Sequence, residues 1–101
     1  MPLRNALRLD GEIVERSPLR WTPAGIPIAQ LRLSHRSRQQ EAGVEREVEA
    51  EIAAMVAGPL AHRMDAVPLG TRIGADGFLA RRSRNLRSLV LHITGFEIIE
   101  D

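Results

Sequence analysis

VEREVEAEIAAMV, residues 44–56, is the stretch whose reading decides the fold. Val44, Val48, Ala50, Ile52, Ala54 and Val56 hold one parity, and Glu45, Glu47, Glu49 and Glu51 hold the other. Side chains alternate across a strand with period two, so the segment reads as a half-buried β-strand. Glu and Ala favour helices, but on a helix these glutamates would wrap around much of the circumference and leave no clean apolar stripe. Gly58-Pro59 then stops the strand.

Working outward from this strand, the run HRSRQQEAG from His35 to Gly43 is polar and reads as a loop or a long twisted hairpin tip. Before it, Ala29, Leu31 and Leu33 alternate with Gln30, Arg32 and Ser34, which gives a second strand with the apolar set inward. TPAGIP, residues 22–27, is a long turn. In the first stretch Leu7, Leu9 and Ile13 oppose Arg8, Asp10 and Glu12, with a bend or bulge plausible at Gly11. Downstream, Leu60 to Val67 has room for one or two helical turns. A fourth strand runs from about Leu69 to Leu79, with Ile73, Ala75 and Leu79 sharing parity and Gly70, Gly74 and Gly77 permitting curvature. Arg81 to Arg87 is a hairpin loop. The last strand, Ser88 to Ile99, is apolar on both parities: Leu89, Leu91 and Ile93 on one, Val90, Phe96 and Ile98 on the other. In an antiparallel protein, burial on both faces calls for a cover such as a partner subunit.

These elements predict an all-β chain forming a single domain over residues 1–101. The pattern is that of a five-stranded OB-fold barrel with a short helical segment between strands three and four. A chain of 101 residues buries roughly 60 to 68% of its extended surface, so its stability is modest. In such a barrel the loop from Arg16 to Gly25 and the loop from Arg81 to Arg87 flank one binding face.

Charge is sorted along the chain. Arg16, Arg20, Arg32, Arg36 and Arg38 follow one another without an acid, as do Arg81, Arg82, Arg84 and Arg87, while the glutamates cluster from Glu41 to Glu51. The formal net charge is only +1, so the local charges matter more than the sum. Two arginine-rich loops brought together make a surface for a polyanion. The chain has no lysine, so each positive side chain is a multi-donor fork, which suits phosphate and carboxylate alike. Arg38 has Glu41 and Glu45 as local partners, and Arg16 has Glu15 or Asp10. Trp21, the single tryptophan, follows Arg20 in the first loop. It either stacks on a base or covers the barrel end. Phe78 has outward parity and reads as a packing residue, and Phe96 as core or interface.

The sequence gives no sign of catalysis. His35, His62 and His92 lie apart without metal-ligand spacing, and cysteine is absent, so no metal or cofactor is expected. Ser34, Ser37 and Ser88 have no nucleophile-elbow context, and no glycine cluster spells a phosphate loop. No apolar run approaches the length of a membrane span, and the first residues lack the character of a signal peptide. A cytoplasmic location fits these features.

Several stretches together carry a resemblance: LDGEI at 9–13, SPLRWTPAGIP at 17–27, QLRLSHRSRQQEAG at 30–43, GTRIGADGFLAR at 70–81 and LVLHITGFEII at 89–99. The chain resembles the primosomal replication protein N family, a member of the single-stranded DNA-binding OB-fold group. The resemblance implies a homodimer without catalytic activity or metal. It implies single-stranded DNA as ligand, with a replication-restart helicase and other primosome proteins as partners. Carried over by position, it implies DNA contacts from Arg20, Arg36, Arg81, Arg82, Arg84 and Arg87, with Trp21 a candidate for stacking. The family's strand-three tryptophan would fall at Val48-Glu49, where there is no aromatic. Two other readings stand beside this one. One is a protein adaptor with weak or lost nucleic-acid binding, using the outward glutamates as a negative edge. The other is an RNA-binding OB-fold protein.

Overall fold

A computed structural model describes residues 2–100. Its elements are β1 (Leu7–Arg16), β2 (Arg20–Trp21), β3 (Pro27–Glu41), β4 (Val44–Ala57), α1 (Pro59–Asp65), β5 (Arg72–Arg81) and β6 (Leu89–Ile98). The sheet runs β1-β5-β6-β4-β3-β2 and closes because β1 also pairs with β3. Five strands therefore make the expected OB-fold barrel, and the two-residue β2 is an addition within the stretch from Arg16 to Gly25 that reads as a loop in the sequence. β4 and β6 pair in parallel at Ala54–Leu91 and Met55–His92, while the other pairings are antiparallel.

Closure depends on β1. Leu7 to Glu12 pair with β5, and Glu12 to Arg16 pair with β3. The register with β3 slips between Ile13 and Glu15, leaving Val14 as a bulge. A bulge adds local bend and twist, which lets one strand serve both edges. Inside, Ile13, Leu33, Ile73, Ala75 and Leu91 are fully buried, with Leu31, Ala54, Val56 and Ile93 close to it. α1 follows β4 through Gly58, at positive φ, and Pro59 at the first helical turn. Its buried Ala61 and Met64, with Val67 just beyond, plug one end of the barrel.

The slip at Val14 has a second effect: Arg16 now shares the side of its partner Leu31. Its side chain is only 17% exposed. It donates to the Met64 carbonyl at 3.1 Å and to the Val67 carbonyl, with Asp65 3.9 Å away. The end of α1 is thus capped by a guanidinium from β1, a favourable partner for the carbonyls at a helix C-terminus, and it adds to the bond that the Met64 carbonyl accepts from the Val67 N–H at 3.1 Å. The expectation that Arg16 pairs with Glu15 or Asp10 is corrected.

The last strand is also corrected. Asp76 pairs with Gly95 and Gly77 with Ile93, so Thr94 is bulged out of the ladder. The bulge flips parity within the strand. Leu91 and Ile93 precede it, Phe96 and Ile98 follow it opposite Ala75 and Ile73, and all four share the barrel side. The bulge thus accounts for Phe96 and Ile98, while Val90 keeps the outer parity of His92, and Leu89 and Ile98 remain 54% and 52% exposed. A Cβ at Gly77 would lie 1.9 Å from the His92 carbonyl oxygen, so the close approach at this bulge requires glycine.

Of the two readings of His35 to Gly43, the long hairpin tip is the one found. β3 and β4 stay in register from Ile28–Ala57 to Glu41–Val44. Ala42 and Gly43 turn the chain with φ 53° and 78°, the pair of positive values that a tight two-residue hairpin turn demands. Beyond Leu33 and Ile52 this hairpin leaves the core and projects as an arm. The Cα radius of gyration is 14.6 Å, above the roughly 13 Å of a compact 100-residue domain, and the arm accounts for the excess. His35 ties its base down. The Asp10 carbonyl, 2.7 Å from Nδ1, can only accept, so Nδ1 carries the proton. Nε2 then accepts from the Ser37 hydroxyl at 2.7 Å, and that oxygen accepts in turn from Gln39 at 3.0 Å.

Arg16→Met keeps most of the stem and removes the guanidinium. It should lower the unfolding free energy by about 2 kcal/mol, because bonds from a charged donor to part-buried acceptors are worth about 1.5 to 3 kcal/mol. Urea titration reads this as a lower midpoint at unchanged slope. A midpoint equal to the parent's would refute the capping role.

Candidate nucleic-acid interface

On the outer face of β3, β4 and β6 lies an open groove of about 770 Å³. Gln30, Arg32, Met55 and His92 line it from the strands, with Val90 in its floor. Arg20 enters from the first loop and Arg82 from the loop after β5. These two loops are far apart in sequence and meet here because Arg20 pairs with Ile28 at the edge of the β3–β4 sheet, while the parallel β4–β6 pairing at Ala54–Leu91 and Met55–His92 sets the start of β6, and the loop before it, against the same sheet.

The turn from Thr22 to Ile26 explains how Arg20 gets there. Thr22 donates its N–H to the Ile26 carbonyl at 2.9 Å, and its Oγ1 accepts from the Ile26 N–H at 3.1 Å. Gly25, at φ 83°, donates to the Thr22 carbonyl at 2.8 Å. The chain folds back so that Arg20 pairs with Ile28 and Trp21 with Pro27. Arg20 then projects on the side of Ile28 and Gln30, which is the groove side. Trp21 is 58% exposed, so it does not cover the core. It borders a smaller cleft of about 320 Å³ that shares Arg20 and Met55 with the groove wall, and its ring centroid lies 6.4 Å from that of His62. At the β5–β6 side Phe78 stacks on His92, with centroids 4.8 Å apart and planes inclined by 12°.

The loop after β5 is continued by a bond from Arg82 N–H to the Ser88 carbonyl at 2.9 Å. Ser83 Oγ accepts from the Leu86 N–H at 3.2 Å. Arg81, Arg82, Arg84 and Arg87 are all exposed. Among the described residues, neither these four nor Arg20 forms an ion pair. Arg20 and Arg82 therefore converge on one groove as free forks, with Arg81, Arg84 and Arg87 at its rim loop.

Arg36 is placed elsewhere. It sits on the arm, where its guanidinium lies 2.7 Å from Glu49. Arg38 is held by Glu45 at 3.2 Å and Glu47 at 3.5 Å, and Arg46 by Glu41. The row of glutamates that reads as a negative edge in the sequence is engaged by arginines of the same hairpin. Arg32, in contrast, lines the groove and was not singled out from the sequence. Its outward parity beside Gln30 and Ser34 was the signal that pointed there. Its Nε lies 3.8 Å from Glu15 and 3.9 Å from Glu51, so it is a held cation within the groove wall.

Comparison with known proteins gives the family. Residues 5–95 match the family described as another single-strand binding protein family. The replication restart protein PriB of Nitrosomonas europaea is 38% identical over 96 residues, covering 95% of this chain and 89% of that one. The PriB of Bordetella pertussis is 39% identical over 89 residues, or 88% and 83% of the two chains. The solved structure of PriB from Ralstonia solanacearum superposes with a TM-score of 0.90 at 40% identity, over 97% of this chain and all of the other. The single-stranded DNA binding protein of Thermus aquaticus shares the barrel at a TM-score of 0.78 and 25% identity, over 96% of this chain and 50% of that one. The chain belongs to this single-strand binding protein family, among the replication restart PriB proteins.

Proposed function

We propose that this chain is a non-enzymatic single-stranded DNA-binding protein of the replication-restart primosome. Its DNA strand is held in the groove between Arg20 and Arg82, with Arg81, Arg84 and Arg87 contacting phosphates at the rim. The observation that carries the reading is the convergence of unpaired arginines from two distant loops onto one groove, in a chain that belongs to a single-strand binding family. Unpaired like charges repel one another, and a phosphate chain relieves that repulsion. Aromatics are scarce, so the phosphate term dominates and base stacking falls mainly to Trp21. The same charge would hold RNA, and competition between the two ligands measures the preference. The adaptor reading loses the observation that motivated it, because Glu45, Glu47 and Glu49 are engaged within the arm. The resemblance carries the restart helicase as protein partner and a second copy of this chain as dimer partner.

Replacing both Arg20 and Arg82 by alanine should weaken binding to oligo(dT) and reduce the log–log salt slope by about 1.4, from about 0.7 per lost phosphate contact. Circular dichroism should stay unchanged. An unaltered isotherm for the folded double variant would remove the groove from consideration.

Trp21 fluorescence should be quenched at saturating oligo(dT). Trp21→Ala should cost about 1 kcal/mol or more of binding, yet about 1 kcal/mol or less of fold stability, since the side chain is largely on the surface. Emission that does not move at saturation would assign no stacking role to this ring.

Sedimentation equilibrium at micromolar concentration should return twice the chain mass. A monomer mass at every concentration would exclude the dimer.

A further inference from the structure

The groove and the arm belong to one face of the β3–β4 hairpin. Gln30 and Arg32 line the groove. Steps of two residues along β3 lead from Arg32 through Ser34 to Arg36 and Arg38, all on the same side of the strand. A nucleic-acid strand leaving the groove along this face would meet a row of arginine forks. The register, however, sets Glu49 opposite Arg36 and Glu47 opposite Arg38. Each fork is occupied: Arg36 by Glu49 at 2.7 Å, and Arg38 by Glu45 at 3.2 Å and Glu47 at 3.5 Å. Arg32, at the junction, lies between Glu15 and Glu51.

We propose that the glutamate row of β4 masks the arm arginines and so sets the boundary of the polyanion-binding surface. Binding is confined to the groove and the loop from Arg81 to Leu89. The inference rests on the single-stranded DNA reading above and states where on the molecule that ligand stops. A carboxylate and a phosphate compete for the same guanidinium fork. Exposed ion pairs are individually weak. The mask therefore works through proximity and through repulsion: Glu45, Glu47, Glu49 and Glu51 in a row oppose an incoming phosphate chain whichever arginine it approaches. All these side chains are more than half exposed and lie beyond the core, so their role in holding the barrel together is small.

The test is the triple variant E45Q/E47Q/E49Q, which keeps side-chain shape and removes the competing charge. Binding is titrated with oligo(dT) of roughly 6 and roughly 20 nucleotides, bracketing the site sizes of OB folds. The variant should bind the long oligomer more tightly than the parent does. Its affinity loss between about 50 and about 200 mM salt should grow by about sevenfold, for two added phosphate contacts at about 0.7 each. The short oligomer, which the groove alone accommodates, should be bound like the parent. Swapping one pair, with Arg36→Glu and Glu49→Arg together, preserves net charge and pairing and should also leave binding unchanged. Equal gains for short and long oligomers would mean a general charge effect and overturn the mask, as would a long-oligomer affinity and salt slope equal to the parent's. If the triple variant fails to fold, Glu49→Gln alone frees Arg36 and tests the same point at half the slope change. A parent that binds and a variant indistinguishable from it overturn the mask only. A parent and variant that both bind nothing overturn the DNA reading as well.

Discussion

β1 pairs with β5 along its first half and with β3 along its second, and the rest of the molecule is arranged around that shared strand. A flat strand cannot serve both edges, because adjacent strands twist relative to one another and closing a barrel needs tilt and bend as well. The unpaired Val14 supplies the bend. Closure leaves no long exposed edge in the barrel to template pairing with other chains. The groove lies on the outer side of the β3, β4 and β6 strands that this closure holds together, where the β2–β3 and parallel β4–β6 pairings bring Arg20 and Arg82 in from their loops. Asn5 extends the seam past the start of β1. Its side-chain amide donates to the Leu79 carbonyl at 2.7 Å and accepts from the Leu79 N–H at 2.9 Å, as a strand backbone would.

One residue type does four kinds of work here. Arg16, largely buried, satisfies carbonyls at the end of α1. Arg8 is surrounded by Glu97, Asp76 and Asp10, and its pKa is raised, chiefly by the bond to Glu97. Arg36 and Arg38 form rungs of a cross-strand charge ladder. Arg20 and Arg82 stand free in the groove wall. A guanidinium suits each setting because its planar fork binds carbonyl, carboxylate or phosphate without changing protonation. What separates the roles is the acid within reach, which is set by strand register and not by the arginine itself.

Period-two patterning made the barrel legible: the inward sets of β1, β3 and β5, and that of β4 from Ile52 to Val56, are those read from parity, while Val44 and Ala50 of the same β4 set lie exposed on the arm, and the helix falls where Gly58-Pro59 interrupts the strands. The failures share one cause. A bulge shifts parity by one residue and leaves little mark in composition. Thr94 therefore made β6 look apolar on both faces, and Val14 hid the inward turn of Arg16. The β3 half of the arm was ambiguous for another reason: neither of its faces lies on a core, and His35 to Glu41 carries no alternating apolar residues to mark a strand. At the candidate site, charge clustering picked out Arg20 and Arg82, which line one groove, and the exposed loop from Arg81 to Arg87. Sequence could not show that Arg36 is paired with Glu49, which is opposite in register but distant in sequence, and clustering passed over Arg32, which stands away from the others.

The arm also means that β3 and β4 are not uniform bodies. From Ala29 to Leu33 their hydrogen bonds lie over a packed interior, and opening them exposes the core. From Arg36 to Glu41 the same ladder continues with water on both faces, held by the turn at Ala42-Gly43 and by charge pairs. Local opening free energy follows buried apolar contact and not secondary-structure type. Amide hydrogen exchange should therefore be slow over the inner half of each strand and fast over the outer half. The transition falls near His35, where a ring bonded to the Asp10 carbonyl anchors the last turn of ribbon to the barrel.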